Sequence, residues 1–505
     1  MLEIIQQAIK SHDKYQIEIK LDYELLDGKE THYKIYTYIF VPHSLHINQE
    51  SYQKSDFYRD VQNYIRLKTP ILGLDDFCNI PSSPLVNIQG MIQTNGWKHN
   101  DKLKMELINR LKLLSSMLKS SLREHFNLIH KRIKETPESA KVHQIIFNLV
   151  EQFVRGTSDF SSHYRTLFAA FNQPGVNEEI FSAYSLTDES ISLLIEETAI
   201  EMYQIVETYL KNEKRQLFLE QLQAIVKSET KHRRARGYAS ILQVGEENET
   251  YIFRASVLKK YAASVLHLST AVSREGRGME QFLFAIAAGI SMIIATTIAF
   301  FFQQQFGNFT FPFFVALVVG YMFKDRVKEL GREMFASKIR DRVYDRRIEI
   351  NSSDGKHKLG ILREKMDFVK EADIPNPVLR ARNKDPFSDL ENDSQGEVII
   401  RYTKDIVLYA NAFKKLKAEM PGINGLNDII RYDIRQYLKK MAEPLQERPY
   451  LINGNLKTIY CHKVYHLNFV SRYRSLYPHK EKLHRRIRLV LNQKGIKRIE
   501  DIAVE

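Results

Sequence analysis

Two apolar runs stand back to back near the middle of the chain, Phe282–Phe302 and Phe306–Phe323, joined by Gln303, Gln304 and Gln305. Neither run contains a charged residue. A bilayer core takes about 20 apolar residues as a helix. The first run has 21 residues, and the second has 18, with Pro312 in its opening turns. Proline is tolerated there, because few intrahelical bonds are lost at a helix start. Long uncharged runs favour spans over a buried soluble hairpin. The pattern therefore predicts a two-helix transmembrane hairpin, 282–302 and 306–323, within a segment 279–323.

Elsewhere the pattern is that of globular domains. Tyr15, Ile17, Ile19, Leu21, Tyr23 and Leu25 alternate with polar residues, which predicts a strand with one buried face. Asp27-Gly28 then reads as a two-residue turn, and Tyr33 to Val41 as the return strand of a β-hairpin. A loop of those two residues alone would set Ile19 opposite Tyr36 and Ile17 opposite Tyr38. Tyr52–Leu67 reads as a short helix, and 71–100, with Pro81, Pro84, Gly90 and Gly96, as a loop. Leu103, Leu107, Leu111, Leu114, Leu118 and Leu122 mark a long amphipathic helix over Asp101–Lys134. Shorter helices are expected at Ser139–Val154 and His163–Phe171. A second long helix is expected from Asp188, with Ile191, Ile195, Thr198, Met202, Ile205 and Tyr209 at four-three spacing. It ends in a basic run, residues 231–237, which reads as a solvated face or a contact with lipid headgroups. Tyr251–Val272 is helical again.

Beyond the apolar runs, 324–347 reads as a basic juxtamembrane helix with nine Lys and Arg against five acids, 9 − 5 = +4. Strands are expected at Arg347–Ile350, Lys358–Phe368, Glu397–Leu408, Leu456–Val470, Arg486–Leu491 and Ile496–Ile499, with a helix at Leu426–Met441 and a loop at Asn376–Gln395. No βαβ rhythm appears. The expected fold is a membrane-anchored α+β protein: an N-terminal β-hairpin (15–41) plus a helical bundle, a transmembrane helical hairpin and a C-terminal mixed α+β domain. The expected domains are 1–272, 279–323, 324–347 and 348–505.

Charge gives the apolar runs a direction. Arg274 and Arg277 precede them, and Lys324, Arg326, Lys328 and Arg332 follow, whereas the linker between them is uncharged. The positive-inside rule then predicts a multi-pass protein of the cytoplasmic membrane with both termini cytoplasmic, facing an anionic leaflet. The start, MLEIIQQAIKSHDKYQ, lacks the apolar core of a signal peptide. Small residues recur at four-residue spacing: Ala285 with Gly289, Ser291 with Ala295 and Ala299, and Ala316 with Gly320. In lipid such rows let helix backbones approach closely, so these residues are the candidate packing contacts. No ionisable residue lies inside either run, which argues against an ion or proton pathway.

The formal net charge of +13 is compatible with nucleic acid, an anionic membrane surface or no specific partner. The two cysteines, Cys78 and Cys461, form no framework or zinc motif. Phosphate-cradling and HExxH motifs are missing, so neither cofactor nor catalytic residue is expected. Cys461, His462 and His466 would lie along one strand, with the two histidines about 13 Å apart at ~3.3 Å per residue, too far to share a metal. His43 with His46, adjacent Asp75 and Asp76, and the basic group His484, Arg485, Arg486 and Arg488 offer no stronger constellation. Nucleic acid is not the expected partner. The pattern predicts a non-enzymatic interaction, scaffold or signalling protein that binds a protein partner or a second copy of itself. The alternatives are an effector whose hairpin oligomerises into a pore lined by Ser291, Thr296, Thr297 and Gln303, and an enzyme with a site in the C-terminal domain.

Overall fold

The structure, a computed structural model, describes all residues except 1–4, 26–28, 95, 136–139, 211–214, 308–309, 356, 384–395, 421, 478–479, 503 and 505. The chain opens with β1 (Ile5–Ser11), β2 (Gln16–Glu24) and β3 (Thr31–Pro42). A helix, α1 (Lys54–Asp60), runs directly into β4 (Val61–Leu67). Eight helices follow: α2 (Asp76–Asn79), α3 (Pro84–Thr94), α4 (Asp101–Glu135), α5 (Ala140–Thr166), α6 (Phe168–Phe171), α7 (Glu178–Tyr209), α8 (Arg215–Ala235) and α9 (Glu249–Ala263). Strand β5 (Ser269–Ser273) leads into two long helices, α10 (Arg277–Phe306) and α11 (Phe311–Arg342). After them come β6 (Arg346–Asn351), β7 (Lys358–Val369), α12 (Asn376–Arg382) and β8 (Glu397–Leu408). The chain ends with β9 (Gly425–Asp433), β10 (Leu445–Ile452), β11 (Asn455–His462), β12 (Tyr465–Tyr477), β13 (Lys480–Asn492) and β14 (Gly495–Ile502).

The chain divides into two compact units, one that holds the sheets together with α10 and α11 and one that is mainly helical. They are not consecutive segments: the first comprises Met1–Ile65, Ser269–Ala412 and Asn427–Glu505, and the second Arg66–Leu268 and Phe413–Leu426. The protein is mixed α+β, but the first strands of the chain belong with the last ones.

In the first unit an eight-stranded sheet has the order β14-β13-β12-β3-β8-β7-β6-β5, and a four-stranded sheet the order β1-β2-β9-β4. This corrects the expected N-terminal β-hairpin. β2 and β3 alternate as expected, yet they do not pair. Ile19 lies opposite Ile9, Tyr36 opposite Arg472 and Thr403, and Tyr38 opposite Val470 and Arg401. Each strand buries its apolar face between the two sheets, where Ile19 and Leu21 line the same narrow cavity as Ile35 and Ile39. Alternation specifies a buried face but not a hydrogen-bonding neighbour. The Asp27-Gly28 turn lies outside the described residues. Aromatic rings fill the centre of the sandwich: Phe57 meets Tyr402 at 5.1 Å and Tyr432 at 6.0 Å between centroids, and Tyr432 meets Phe469 at 5.8 Å.

Several further elements differ from expectation. The second half of the expected helix Tyr52–Leu67 is β4, and the expected loop 71–100 holds α2 and α3. The helix expected at Ser139–Val154 runs on, as α5, into the one expected at His163–Phe171, and the end of Tyr251–Val272 is in β5. The segment expected as a helix at Leu426–Met441 is strand β9 followed by one short turn, Arg435–Leu438. Ile430 and Tyr432 alternate toward the core, and this period of two won over the helical one. Leu456–Val470 is two strands, broken at Lys463 and Val464. Of the expected loop Asn376–Gln395, the first part is helix α12, and 384–395 lies outside the described residues.

The second unit is helical. α7 begins ten residues before the expected start at Asp188, because Asn177 caps it: the Asn177 side chain accepts from the Glu179 backbone N–H at 2.8 Å. Asp188 itself lies mid-helix and is buried. Ile191, Ile195, Met202 and Ile205 are all buried in the bundle core, as are Leu107, Leu111, Leu114 and Leu118 of α4.

The central correction concerns the apolar runs. Among the described residues one helix, Gly278–Phe306, is long and apolar enough to cross a membrane, by length and composition. The second run does not form a second span. Its helix starts at Phe311, so Phe306 ends α10 and Gly307 lies outside both helices. Only the 13 residues from Phe311 to Phe323 precede Lys324, about 20 Å at ~1.5 Å per residue against a core of about 30 Å. The two-helix transmembrane hairpin and the multi-pass topology are therefore set aside. With one qualifying helix, the flanking charges no longer assign a side to either terminus.

Candidate functional site

Helices α10 and α11 pack against each other as an antiparallel pair, and the two strands that flank them are neighbours. Val272 of β5 lies opposite Ile348 of β6, and Ser273 opposite Arg347. The pair is thus an excursion from one edge of the eight-stranded sheet, leaving and returning side by side.

Its register follows from close approaches. A Cβ on Gly320 would meet Ile298 at 3.7 Å and the Ala295 carbonyl at 3.8 Å. A Cβ on Gly331 would lie 3.0 Å from the Ala287 Cβ. Arg332 stands over the Phe284 ring at 5.4 Å. Residues that face each other therefore have numbers summing to roughly 617, and Lys324 is level with about Ile293. The charged part of α11 runs alongside the first half of the apolar stretch of α10. Both helices are uncharged together only from about Ala295 to Phe323, through the turn.

The candidate packing residues separate within this geometry. Ser291, Ala316 and Gly320 are buried between the helices, and Ala295 and Ala299 are partly covered. Ala285 and Gly289 face outward, and nothing lies within 4 Å of a Cβ built on Gly289. Ala287 and Gly331 hold the close contact at the base instead. Ala287 extends the row of Ser291, Ala295 and Ala299 by one turn, so the signal was present on the same helical face. The hydroxyls of Ser291, Thr296 and Thr297 donate to Ala288, Met292 and Ile293 carbonyls of their own helix at 2.8 Å each.

The outer surface of the pair is uncovered and apolar. Phe282, Ile293, Phe300, Phe314 and Met322 are all more than half exposed, with Ile293 at 67%. Exposed apolar patches of this extent are rare on soluble monomers. Near the base, Arg326 is 81% exposed, Lys324 lies over the Tyr321 ring at 4.0 Å, and Arg274 meets Glu280 at 3.5 Å. The side chain of Arg277 lies outside the described residues.

Most other candidates are structurally occupied. The basic run at the end of α8 is only in part a solvated face, with Lys231 and Arg234 exposed. Arg233 is buried and donates to Ser192 Oγ at 2.9 Å, to the Ser240 carbonyl at 2.9 Å and to Glu196. His232 meets Asp188 at 2.7 Å, and Arg236 stacks on Phe168 at 3.6 Å. The acids that receive these bases, Asp188 and Glu196, lie 44 and 37 residues earlier in the chain, so nothing near the run points to them. Of the C-terminal basic group, Arg485 pairs with Asp501, Arg486 is buried against the Ala381 carbonyl and Asn468, and Arg488 reaches Glu500 at 3.5 Å.

Cys461 and His462 sit on β11 and His466 on β12, so the break at Lys463 divides the three. His43 and His46 occupy a short turn with rings 6.4 Å apart. Asp75 accepts from Arg155 at 3.0 Å, and Asp76 from the Gly73 N–H at 3.2 Å. No group of three His, Cys, Asp or Glu among the described residues could hold a metal ion.

Two polar places remain in the first unit. Inside the sandwich Lys404 pairs with Asp428, Tyr402 donates to Glu364, and the Tyr23 hydroxyl donates to Asp428 at 3.2 Å. Burial pushes the Tyr402 and Tyr23 hydroxyls well above their ordinary range, so both remain donors. The other place is an open cleft of about 380 Å³ with Arg59, Asp60, Arg431, Asp433 and Arg435 on its wall. Burial pushes the Asp433 carboxyl up, but the Arg435 guanidinium beside it outweighs burial and holds it below its ordinary range. Within the cleft Arg435 pairs with Asp433, and Lys439 adds a fourth basic residue to its wall. No protein-family model matches the chain, and no curated protein matches it.

Proposed function

We propose that the protein is a membrane-anchored interaction protein, held to one face of a bilayer by the α10–α11 pair. The observation that carries this reading is the uncovered apolar surface on that pair, uncharged on both helices from about Ala295 to Phe323. The layer is about 20 Å deep, more than one leaflet and less than the hydrocarbon core. Because β5 and β6 are adjacent, the chain must enter and leave lipid on the same side. The pair then acts as a wedge inserted turn-first. Lys324, Arg326 and Lys328 mark its entry level, where each basic residue contributes about 1 kcal/mol at an anionic surface.

Everything outside the wedge stays on one side, available to a protein partner or to a second copy. The buried titratable groups support interaction over chemistry, since they are engaged with one another: Arg233 with Glu196, Lys404 with Asp428, Arg382 with Glu397. A pore has less support, because the hydroxyls that would line it bond back to their own helix.

The test uses the full chain with Cys78→Ser and Cys461→Ser, and Gln304→Cys at the turn, in sealed vesicles. The expected result is retention through alkaline washing, with an impermeant maleimide on the far side failing to label the turn. Labelling from the far side would overturn one-sided insertion, and release by the wash would overturn anchoring.

A further inference from the structure

The ribbon formed by β10 and β11 is a two-stranded sheet of its own, and every one of its residues is exposed. It turns at Asn453 and Gly454, both with positive φ, 50° and 80°, as a tight hairpin turn requires. Its tip is apolar. Leu456 is 72% exposed and Leu451 67%, with Tyr450 and Ile452 beside them. Leu451 lies opposite Leu456, Tyr450 opposite Lys457, and Ile452 opposite Asn455. Successive strand residues point to opposite faces, so Leu451 and Leu456 share one face while Tyr450 and Ile452 occupy the other. The tip is therefore apolar on both sides at once.

The topology places the ribbon's root. Asn468 of β12 lies opposite Phe40, Phe40 opposite Ile399, and Ile399 opposite Val369. The start of β12 thus stands at the end of the eight-stranded sheet where β3 and β7 finish. β6 begins level with the middle of β7, with Arg346 opposite Glu364, and β5, with Ser273 opposite Arg347, stops at that level while running toward the same end. The ribbon precedes β12 by two residues, and α10 follows β5 by three. Both exposed apolar projections are rooted at strand ends that face the same end of the sheet, about 20 Å apart along the strands at ~3.3 Å per residue. Segment 439–463 carries five basic residues against two acids, 5 − 2 = +3.

We infer that the β10–β11 ribbon tip is a second membrane contact, inserting Tyr450, Leu451, Ile452 and Leu456 into the bilayer face that receives the α10–α11 wedge. This rests on the anchoring reading above. Lipid fits because it surrounds an inserted tip, whereas a groove on a protein covers one face of a ribbon. The basic residues behind the tip, Arg448 and Lys457 among them, fit anionic headgroups.

The test labels the full chain, with Cys78→Ser and Cys461→Ser, at either Leu451→Cys or Val318→Cys with an environment-sensitive dye. Vesicles of phosphatidylcholine and phosphatidylglycerol carry nitroxides on their acyl chains. The expected result is a blue shift and loss of most fluorescence at both positions. Quenching at 318 with a water-like, unquenched probe at 451 would overturn the ribbon contact and leave the wedge standing. No quenching at either would overturn both. A probe at 451 shielded without lipid, in a concentration-dependent way, would overturn the lipid assignment in favour of a second copy. Leu451→Asp with Leu456→Asp should weaken vesicle partitioning several-fold, and unchanged partitioning would likewise count against the contact.

Discussion

Arg233 is 1% exposed and donates to three groups in the helical unit: a carboxylate, a hydroxyl and a carbonyl. Removing one partner of a buried ion pair leaves the other charge uncompensated, which costs about 3–5 kcal/mol. Arg233→Ala should therefore lower the stability of this unit by that amount. Urea unfolding in detergent, followed by fluorescence of Trp97, measures it, since Trp97 is the only tryptophan and is buried there against Phe171. Arg233→Met together with Glu196→Leu should recover part of the loss, and an unchanged midpoint for Arg233→Ala would refute the account. The basic run at 231–237 was visible in the sequence, but its partners were not. Asp188 and Glu196 both lie on α7, and the contact exists only once α7 and α8 are packed.

At the scale of elements, the α10–α11 pair closes through small residues that the four-residue rule located only in part. Gly331 stands where a larger side chain would meet Ala287, while Gly289 faces open space. Overpacking a tight contact costs about 1–3 kcal/mol. Gly331→Leu should lower the thermal midpoint of the detergent-solubilised chain, and Gly289→Leu should leave it unchanged. Equal effects at the two glycines would refute the register. Strands β6, β7 and β8 lie within a residue of where the sequence places them, although β7 and β8 bury both faces over part of their length. Strand β9 was not legible, because Ile429, Ile430, Ile434 and Tyr437 fit a helical stripe equally well within so short a window.

For the whole molecule, the adjacency of β5 and β6 makes the helical pair an insert in an otherwise continuous sheet. Paired residues of antiparallel strands stand about 5 Å apart, so a short Gly/Ser linker can bridge them. Replacing 277–342 by such a linker should leave amide protection in β7 and β8 intact while abolishing stable vesicle binding. Loss of protection across the sheet would show that the pair is part of the fold's foundation instead.

The sequence by itself determined the local periodicities: which faces of β2 and β3 are buried, where α4 runs, and that two uncharged apolar runs stand back to back. These depend only on residue type and spacing along one element. The tertiary structure decided everything that depends on what lies opposite. It sent β2 and β3 to different sheets, set acids against the basic run of α8, and set the charged half of α11 beside α10. That last juxtaposition limits the shared uncharged layer to about 20 Å, because the depth a helical pair offers to lipid is set by the register of both helices, not by the longer run alone.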